Sequence, residues 1–236
     1  MSDSRERTVL VTGGTTRLGL AIAERLRSSG WRVLTSSHRP DAGADLVADL
    51  SGPMGAAKLY AAALGALGGR PPDALVNNAA LFTGDDAAVE AVGLTAPQKL
   101  TMLMAGRETG RGVVVNILDA AVLSPTSAAS NASPRYMAAK RALLDYTSKS
   151  AVMFADTLRV NAVAPGPVFA PVGVHEKACE TLLRRPRPDD VAKAVEFLLD
   201  VSSTTGAVIP VDSGQHLIAS GVYPFFDCQN ASYPDE

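Results

Sequence analysis

The chain has 236 residues, 47% of them hydrophobic and only 19% charged, which describes a globular protein with one large buried core and excludes a disordered or fibrous chain. Lysine and arginine number 22 against 24 aspartates and glutamates, a formal net charge of -2 with no long run of one sign. That balance argues against a nucleic acid or a membrane surface as partner. The two cysteines, Cys179 and Cys228, are too few for a disulfide framework and have no metal-ligand spacing around them, so no metal site is expected and a reducing cytoplasm is the expected setting. Met1 to Arg7 is polar and lacks the apolar stretch of a signal peptide, and no apolar run approaches the roughly 18 residues of a membrane span.

The elements alternate along the chain. Thr8 to Thr12 is a short β-branched strand, and Leu18, Ile22 and Leu26 follow at helical spacing until Gly30 stops the helix. A strand over Arg32 to Ser36, a helix over Ala56 to Leu67 and a strand over Ala74 to Asn77 come next. The pattern continues with a helix over Ala88 to Ala105, a strand over Val113 to Ile117, a helix over Tyr136 to Phe154 and a strand over Arg159 to Ala162. A helix over Val191 to Leu199, behind the N-cap candidates Asp189 and Asp190, and a strand over Ala207 to Pro210 complete it. Strands too apolar to alternate imply burial on both faces, hence an α/β fold: a doubly wound, Rossmann-type parallel sheet with helices on both faces. One domain is expected over 8–221, preceded by a polar segment, 1–7, and followed by a tail, 222–236.

The first strand-to-helix turn reads Thr12-Gly13-Gly14-Thr15-Thr16-Arg17-Leu18-Gly19. Glycines there let the backbone approach a pyrophosphate at the positive end of the following helix, although an ordinary glycine turn has the same look. No acidic residue ends the second strand to receive the ribose hydroxyls of NAD. Ser37, His38 and Arg39 stand there instead, with Arg17 able to converge on the same point. Guanidinium groups suit a 2′-phosphate, so the expected cofactor is NADPH; solvated loop residues are the plainer alternative for His38 and Arg39. Tyr136 and Lys140, four apart on one helical face, can meet at one reaction centre, where the ammonium is expected to favour the phenolate and lower the pKa of the phenol.

With the glycine turn, Asn77-Asn78-Ala79-Ala80, Asn116 and Pro165-Gly166-Pro167-Val168, this pair resembles the short-chain dehydrogenase/reductase family from Thr8 to about Ile218. Four details resemble its pteridine reductase and dihydromonapterin reductase branch. These are Arg17 in place of the middle glycine, the His38-Arg39 pair, Asp119 in place of the usual catalytic Ser, and the stretch Thr205 to Leu217. The resemblance implies that Gly13, Arg17, Leu18, Gly19, Ser37, His38, Arg39, Asp49, Asn77, Ala79, Tyr136, Lys140, Pro165, Gly166 and Val168 contact NADPH. It implies catalysis by Asp119, Tyr136 and Lys140.

A carboxyl group in place of a hydroxyl suits a ring nitrogen rather than a ketone oxygen, because it can hold a cationic imine or, when protonated, deliver a proton to it. Asp119 therefore points to a small N-heterocyclic substrate with a C=N bond, a pteridine or another cyclic imine or iminium; a capping aspartate is its plainer reading. The alternatives are a carbonyl reductase, with Asp119 merely structural, and a non-catalytic NADP-sensing or scaffold protein. Gly93 stands where the family places a catalytic Asn, which removes the usual anchor of a water held to the lysine. The long helix from Ala88 and the helix from Tyr136 are expected to pair with their copies in a homodimer or homotetramer. The segment Phe169 to Asp189 is expected as a brief lid, and the aromatics Tyr223, Phe225, Phe226 and Tyr233 of the tail as packing against a neighbouring subunit.

Overall fold

The computed structural model describes residues 5–82, 84–108, 110–124, 133–169 and 184–219. Seven strands form one parallel sheet in the order β3-β2-β1-β4-β5-β6-β7. They are β1 (Thr8–Thr12), β2 (Arg32–Ser37), β3 (Leu46–Val47), β4 (Ala74–Asn77), β5 (Gly112–Ile117), β6 (Leu158–Pro165) and β7 (Val208–Val211). The helices are α1 (Arg17–Ser28), α2 (Gly55–Ala66), α3 (Asp86–Glu90), α4 (Ala96–Ala105), α5 (Pro134–Met153), α6 (Pro188–Asp200) and α7 (Gln215–Ala219). None of those described is long and apolar enough to cross a membrane.

The period of two along each strand divides the core. Val9, Val11, Val76, Val115 and Val163 point to one face, where Ile22 and Leu26 of α1 and Val191, Val195 and Leu198 of α6 cover them. Leu10, Leu34, Leu75, Val114 and Val160 point to the other, against Leu59 and Ala63 of α2 and Leu100 and Met104 of α4. A third cluster joins Leu143 and Met137 of α5 to Ala162 and Ala164 of β6. Because β1 pairs with both β2 and β4, the chain winds outward in opposite senses from the gap between β1 and β4. Ligands of such sheets bind at that switch point, outside the carboxyl ends of the strands.

Several boundaries differ from the sequence reading for local reasons. α6 begins at Pro188, a residue suited to the first helical position, so Arg187 is the N-cap and Asp189 and Asp190 lie in the first turn. There the Asp190 carboxylate accepts from the Arg187 N–H at 2.8 Å. The Ser133 hydroxyl accepts from the Tyr136 N–H at 3.2 Å and starts α5 at Pro134, which sets Tyr136 in its first turn. The helix expected from Ala88 is α3 and α4 joined by a π-turn over Ala91–Thr95. β3, only two residues long, and α7 were not anticipated. The tail at 222–236, Cys179, Cys228 and most of the expected lid lie outside the described residues.

Candidate active site

A cavity of about 980 Å³ runs along the carboxyl ends of the strands, walled by the loops after β1, β2, β4, β5 and β6. Its floor at the first turn is tight. Gly13 has φ +63°, in the left-handed region, and a Cβ on Gly19 would overlap the Gly13 carbonyl oxygen. Asn78 ties this loop down, its Nδ2 donating to the carbonyls of Thr12 at 2.9 Å and Gly13 at 3.1 Å. The Thr12 hydroxyl oxygen accepts from the N–H groups of Asn78 and Ala79, both at 3.0 Å. The glycine turn and the Asn77–Ala80 stretch are therefore one hydrogen-bonded unit. Leu18 completes this end of the wall.

At the end of β2, Ser37 is buried while His38 and Arg39 are exposed, and the Ser37 hydroxyl oxygen accepts from the Arg39 N–H at 3.1 Å. Asp49 stands on the same wall; hydrogen bonds from the hydroxyl and N–H of Ser51, with His38 nearby, hold its carboxyl below the usual carboxylate range. Arg17 has φ +50°, the conformation that a glycine would take without strain, and its guanidinium lies over the Phe169 ring, 4.7 Å from the centroid. Pro165, Gly166 and Val168 form the opposite rim. Asn77 is the exception among the expected cofactor residues. It is 2% exposed and absent from the cavity wall, because its side chain turns into the protein and its Nδ2 donates to Asn116 Oδ1 at 2.8 Å.

The reacting end lies beyond β5. The Tyr136 hydroxyl donates to Asp119 Oδ2 at 3.1 Å, while Asp119 Oδ1 accepts from the Ala121 N–H at 2.9 Å. Asp119 is thus both the cap of the 3-10 turn Ala120–Leu123 and the partner of the tyrosine, one oxygen to each. Lys140 is 2% exposed and donates from Nζ to the Ile117 carbonyl at 2.6 Å, with its ammonium 5.6 Å from the centre of the Tyr136 ring. Burial brings the Lys140 ammonium down to about 8, opposed by the negative charge of Asp119. The expectation that Lys140 lowers the pKa of Tyr136 is overturned. Burial first, then the charge and hydrogen bond of Asp119, push that phenol well above its usual range.

Two features of this end escaped the sequence reading. Phe82 stacks on Tyr136, centroids 4.8 Å apart, yet stays 55% exposed, so it gives the cavity a flat apolar wall. Its only signal is its place just after Asn77–Ala80. Gln215 and His216 of α7 also line the cavity. Gly93 lies within the π-turn, where a Cβ would meet the Ala139 Cβ at 3.3 Å; α5 packs against bare backbone beside Lys140.

The profile of the family described as enoyl-(acyl carrier protein) reductase matches residues 15–216. Ketoacyl reductase 2, as named, of the granaticin polyketide synthase of Streptomyces violaceoruber is 34% identical over 250 residues, covering 89% of this chain and 96% of that one. The crystal structure of FolM alternative dihydrofolate reductase 1 from Brucella canis, complexed with NADP, superposes with a TM-score of 0.73 at 30% identity, covering 89% of this chain and 94% of that one. Its counterpart from Brucella suis, also with NADP, gives 0.72 at 30% identity over 89% and 95%. The chain belongs to the short-chain dehydrogenase/reductase family, and its structural kinship extends to that family's pteridine-reductase-like branch.

Proposed function

We propose that the protein is an NADPH-dependent reductase that delivers hydride to a cyclic C=N bond, in a pteridine-like ring or another nitrogen heterocycle, including an iminium in equilibrium with a hemiaminal. The observation that carries the reading is the Asp119 carboxylate on the Tyr136 hydroxyl, at 3.1 Å. The cavity fits the cofactor: a glycine turn that closes when a Cβ is added to Gly19, and the exposed His38 and Arg39 for a 2′-phosphate. Gly13, Arg17, Leu18 and Ala79 would hold the middle of the cofactor, and Lys140, Pro165, Gly166 and Val168 its reactive end. When bound, NADPH supplies the hydride.

The chain's own residues decide what accepts it. A ketone becomes an alkoxide and needs a proton as hydride arrives; Tyr136, raised by burial and by Asp119, is a poor source. An iminium becomes a neutral amine and needs none; a neutral imine takes its proton from water on nitrogen first and reacts as the iminium. What it needs is a negative group beside the cation, which Asp119 provides, with Tyr136 fixing that carboxylate by its hydrogen bond. Phe82 offers a flat face to a planar ring. The resemblance to a ketoacyl reductase favours carbonyl reduction as the second reading. Loss of NADPH absorbance with a panel of dihydropterins, cyclic imines and ketones separates the two; reduction of ketones alone removes the C=N reading.

The working unit in this reading is a homodimer or homotetramer. Met102 of α4 and Val152 and Met153 of α5 are 59%, 80% and 68% exposed, apolar surface on the two helices expected to pair with their copies. Light scattering that finds a monomer at micromolar concentration contradicts it.

A further inference from the structure

The stretch from Thr205 to Leu217 holds a buried carboxylate paired with an imidazole. Asp212 follows β7 directly and is 3% exposed. Its Oδ1 accepts from the Gly214 N–H at 3.1 Å, and its Oδ2 accepts from the His216 N–H at 2.8 Å and lies 2.6 Å from His216 Nδ1. Gly166 makes room for this carboxylate, since a Cβ there would come within 2.7 Å of Asp212 Cα and Cβ. Holding the start of α7 needs only the two backbone contacts. The third, to an imidazole, does something else: a carboxylate can only accept, so Nδ1 carries a proton, and whenever the ring holds that proton alone Nε2 is a fixed acceptor.

The ring is placed to use that acceptor. His216 borders the main cavity and also a neighbouring one of about 440 Å³, so it stands in the wall between them. α7 packs against the turn Ala120–Leu123 that follows Asp119, which brings His216 to the reacting end of the cavity and not to the β2 end. Among the described residues no hydrogen bond uses Nε2. We infer that His216, oriented by Asp212, is a substrate-binding residue whose Nε2 accepts a hydrogen bond from an N–H on the edge of the heterocycle away from its C=N bond. This deepens the C=N reading and rests on it. The substrate class narrows to rings that carry such an edge, as an aminopyrimidinone does and a simple cyclic imine does not.

The test compares a dihydropterin, which has that edge, with pyrroline, which lacks it. H216N keeps a side-chain amide beside Asp212 and deletes Nε2; H216Q returns an amide near the Nε2 position. The expected result for H216N is a KM for the dihydropterin raised about tenfold, the loss of one well-made hydrogen bond, with kcat, NADPH affinity and the KM for pyrroline unchanged. H216Q recovers part of the loss. An unchanged KM for the dihydropterin, or equal losses on both substrates, overturns the assignment and leaves His216 as a support of α7. If the wild-type protein reduces ketones but neither C=N compound, it is the C=N reading that fails. The His216 assignment is then decided by oxidised pterin titrated onto the NADP-loaded protein and followed by its fluorescence: weaker binding by H216N supports it, and equal or absent binding overturns it.

Discussion

The two ends of the cavity are built on opposite electrostatic plans. At the β2 end, His38 and Arg39 stand in water, free to adjust to what arrives, and Asp49, also exposed, is held by Ser51. At the β5 end, Tyr136 and Lys140 are 4% and 2% exposed, locked by hydrogen bonds, and their ionisation is moved by burial. Exposed charges recognise a ligand weakly and are screened by salt, so in the proposed function they serve to choose between cofactors. Buried charges are costly to place but act strongly on a reacting group, so in the proposed function they serve chemistry.

The sharpest way to break this contrast is at Asp119. On a C=N substrate, Asp119→Ala is expected to lower turnover about 100-fold or more, the scale of a positioned group acting on charge in the reaction, while Tyr136→Phe costs roughly tenfold. On a ketone the order reverses. Steady-state rates of both variants with saturating NADPH decide it; a dead Tyr136→Phe beside a nearly normal Asp119→Ala on the best substrate would transfer the protein to carbonyl reduction.

The buried plan also predicts a pH signature in stability. Lys140 titrates at about 8 in the folded protein against an ordinary 10.5, so between those values the unfolded chain binds the extra proton. Stability then rises with pH across that window, because the cost of burying the ammonium is removed once it is neutral. Between pH 7 and 9.5 the gain from this group is about 2 kcal/mol. Urea unfolding at the two pH values should show that increment in the wild type and lose it in Lys140→Met. An equal pH response in both proteins would mean that Asp119 keeps the ammonium charged far above pH 8.

At the open end the expected effect is smaller and of another kind. Arg39→Ala should weaken NADPH about tenfold and leave NADH nearly untouched, a charge-assisted contact discounted for its exposure. Raising the salt should shrink the difference between the two cofactors. Calorimetric titration of both cofactors measures it, and equal affinities in the wild type would leave His38 and Arg39 as plain loop residues.

The contrast also explains what could be read from the sequence. The open end is local: the glycine turn lies within eight residues and Ser37, His38 and Arg39 are consecutive, so the motif and the cavity wall coincide. Strands of β-branched residues and helices with a clear stripe, such as Ile22 and Leu26 of α1, were equally legible. β3 escaped because two residues carry no period. The buried end is assembled across distance. Spacing pairs Tyr136 with Lys140, yet the hydroxyl is buried and bonds Asp119, 17 residues back, and burial first, then Asp119, raise its pKa. Asn77 lies off the cavity wall for the same reason: a strand-end residue points to one side or the other, and here the pairing of β4 with β5 turns it toward Asn116. Asp119 takes its capping reading with one oxygen and leaves the other on the Tyr136 hydroxyl, since a carboxylate has two.

Arg17 joins the two plans, and it yields the smallest and most specific expectation. Its φ of +50° would cost nothing to a glycine but carries roughly 1 kcal/mol of strain for a residue with a Cβ. The cation–π contact with Phe169 offsets part of this, on the order of 0.5 to 1 kcal/mol at an exposed site. Comparing wild type with a single variant would mix the two effects. Arg17→Ala and Arg17→Gly both delete the contact with Phe169, and only the second relieves the backbone. Within a helix glycine is ordinarily about 1 kcal/mol worse than alanine, but at this position the order should invert, with Arg17→Gly more stable than Arg17→Ala by about 1 kcal/mol. Both variants should bind NADPH more weakly than the wild type, because the strain is tolerated for the guanidinium it holds on the cavity wall. Thermal unfolding of the pair measures the inversion. If alanine is the more stable of the two, the turn relaxes out of the left-handed region once the arginine is gone, and it is the stacking on Phe169 that holds the backbone there.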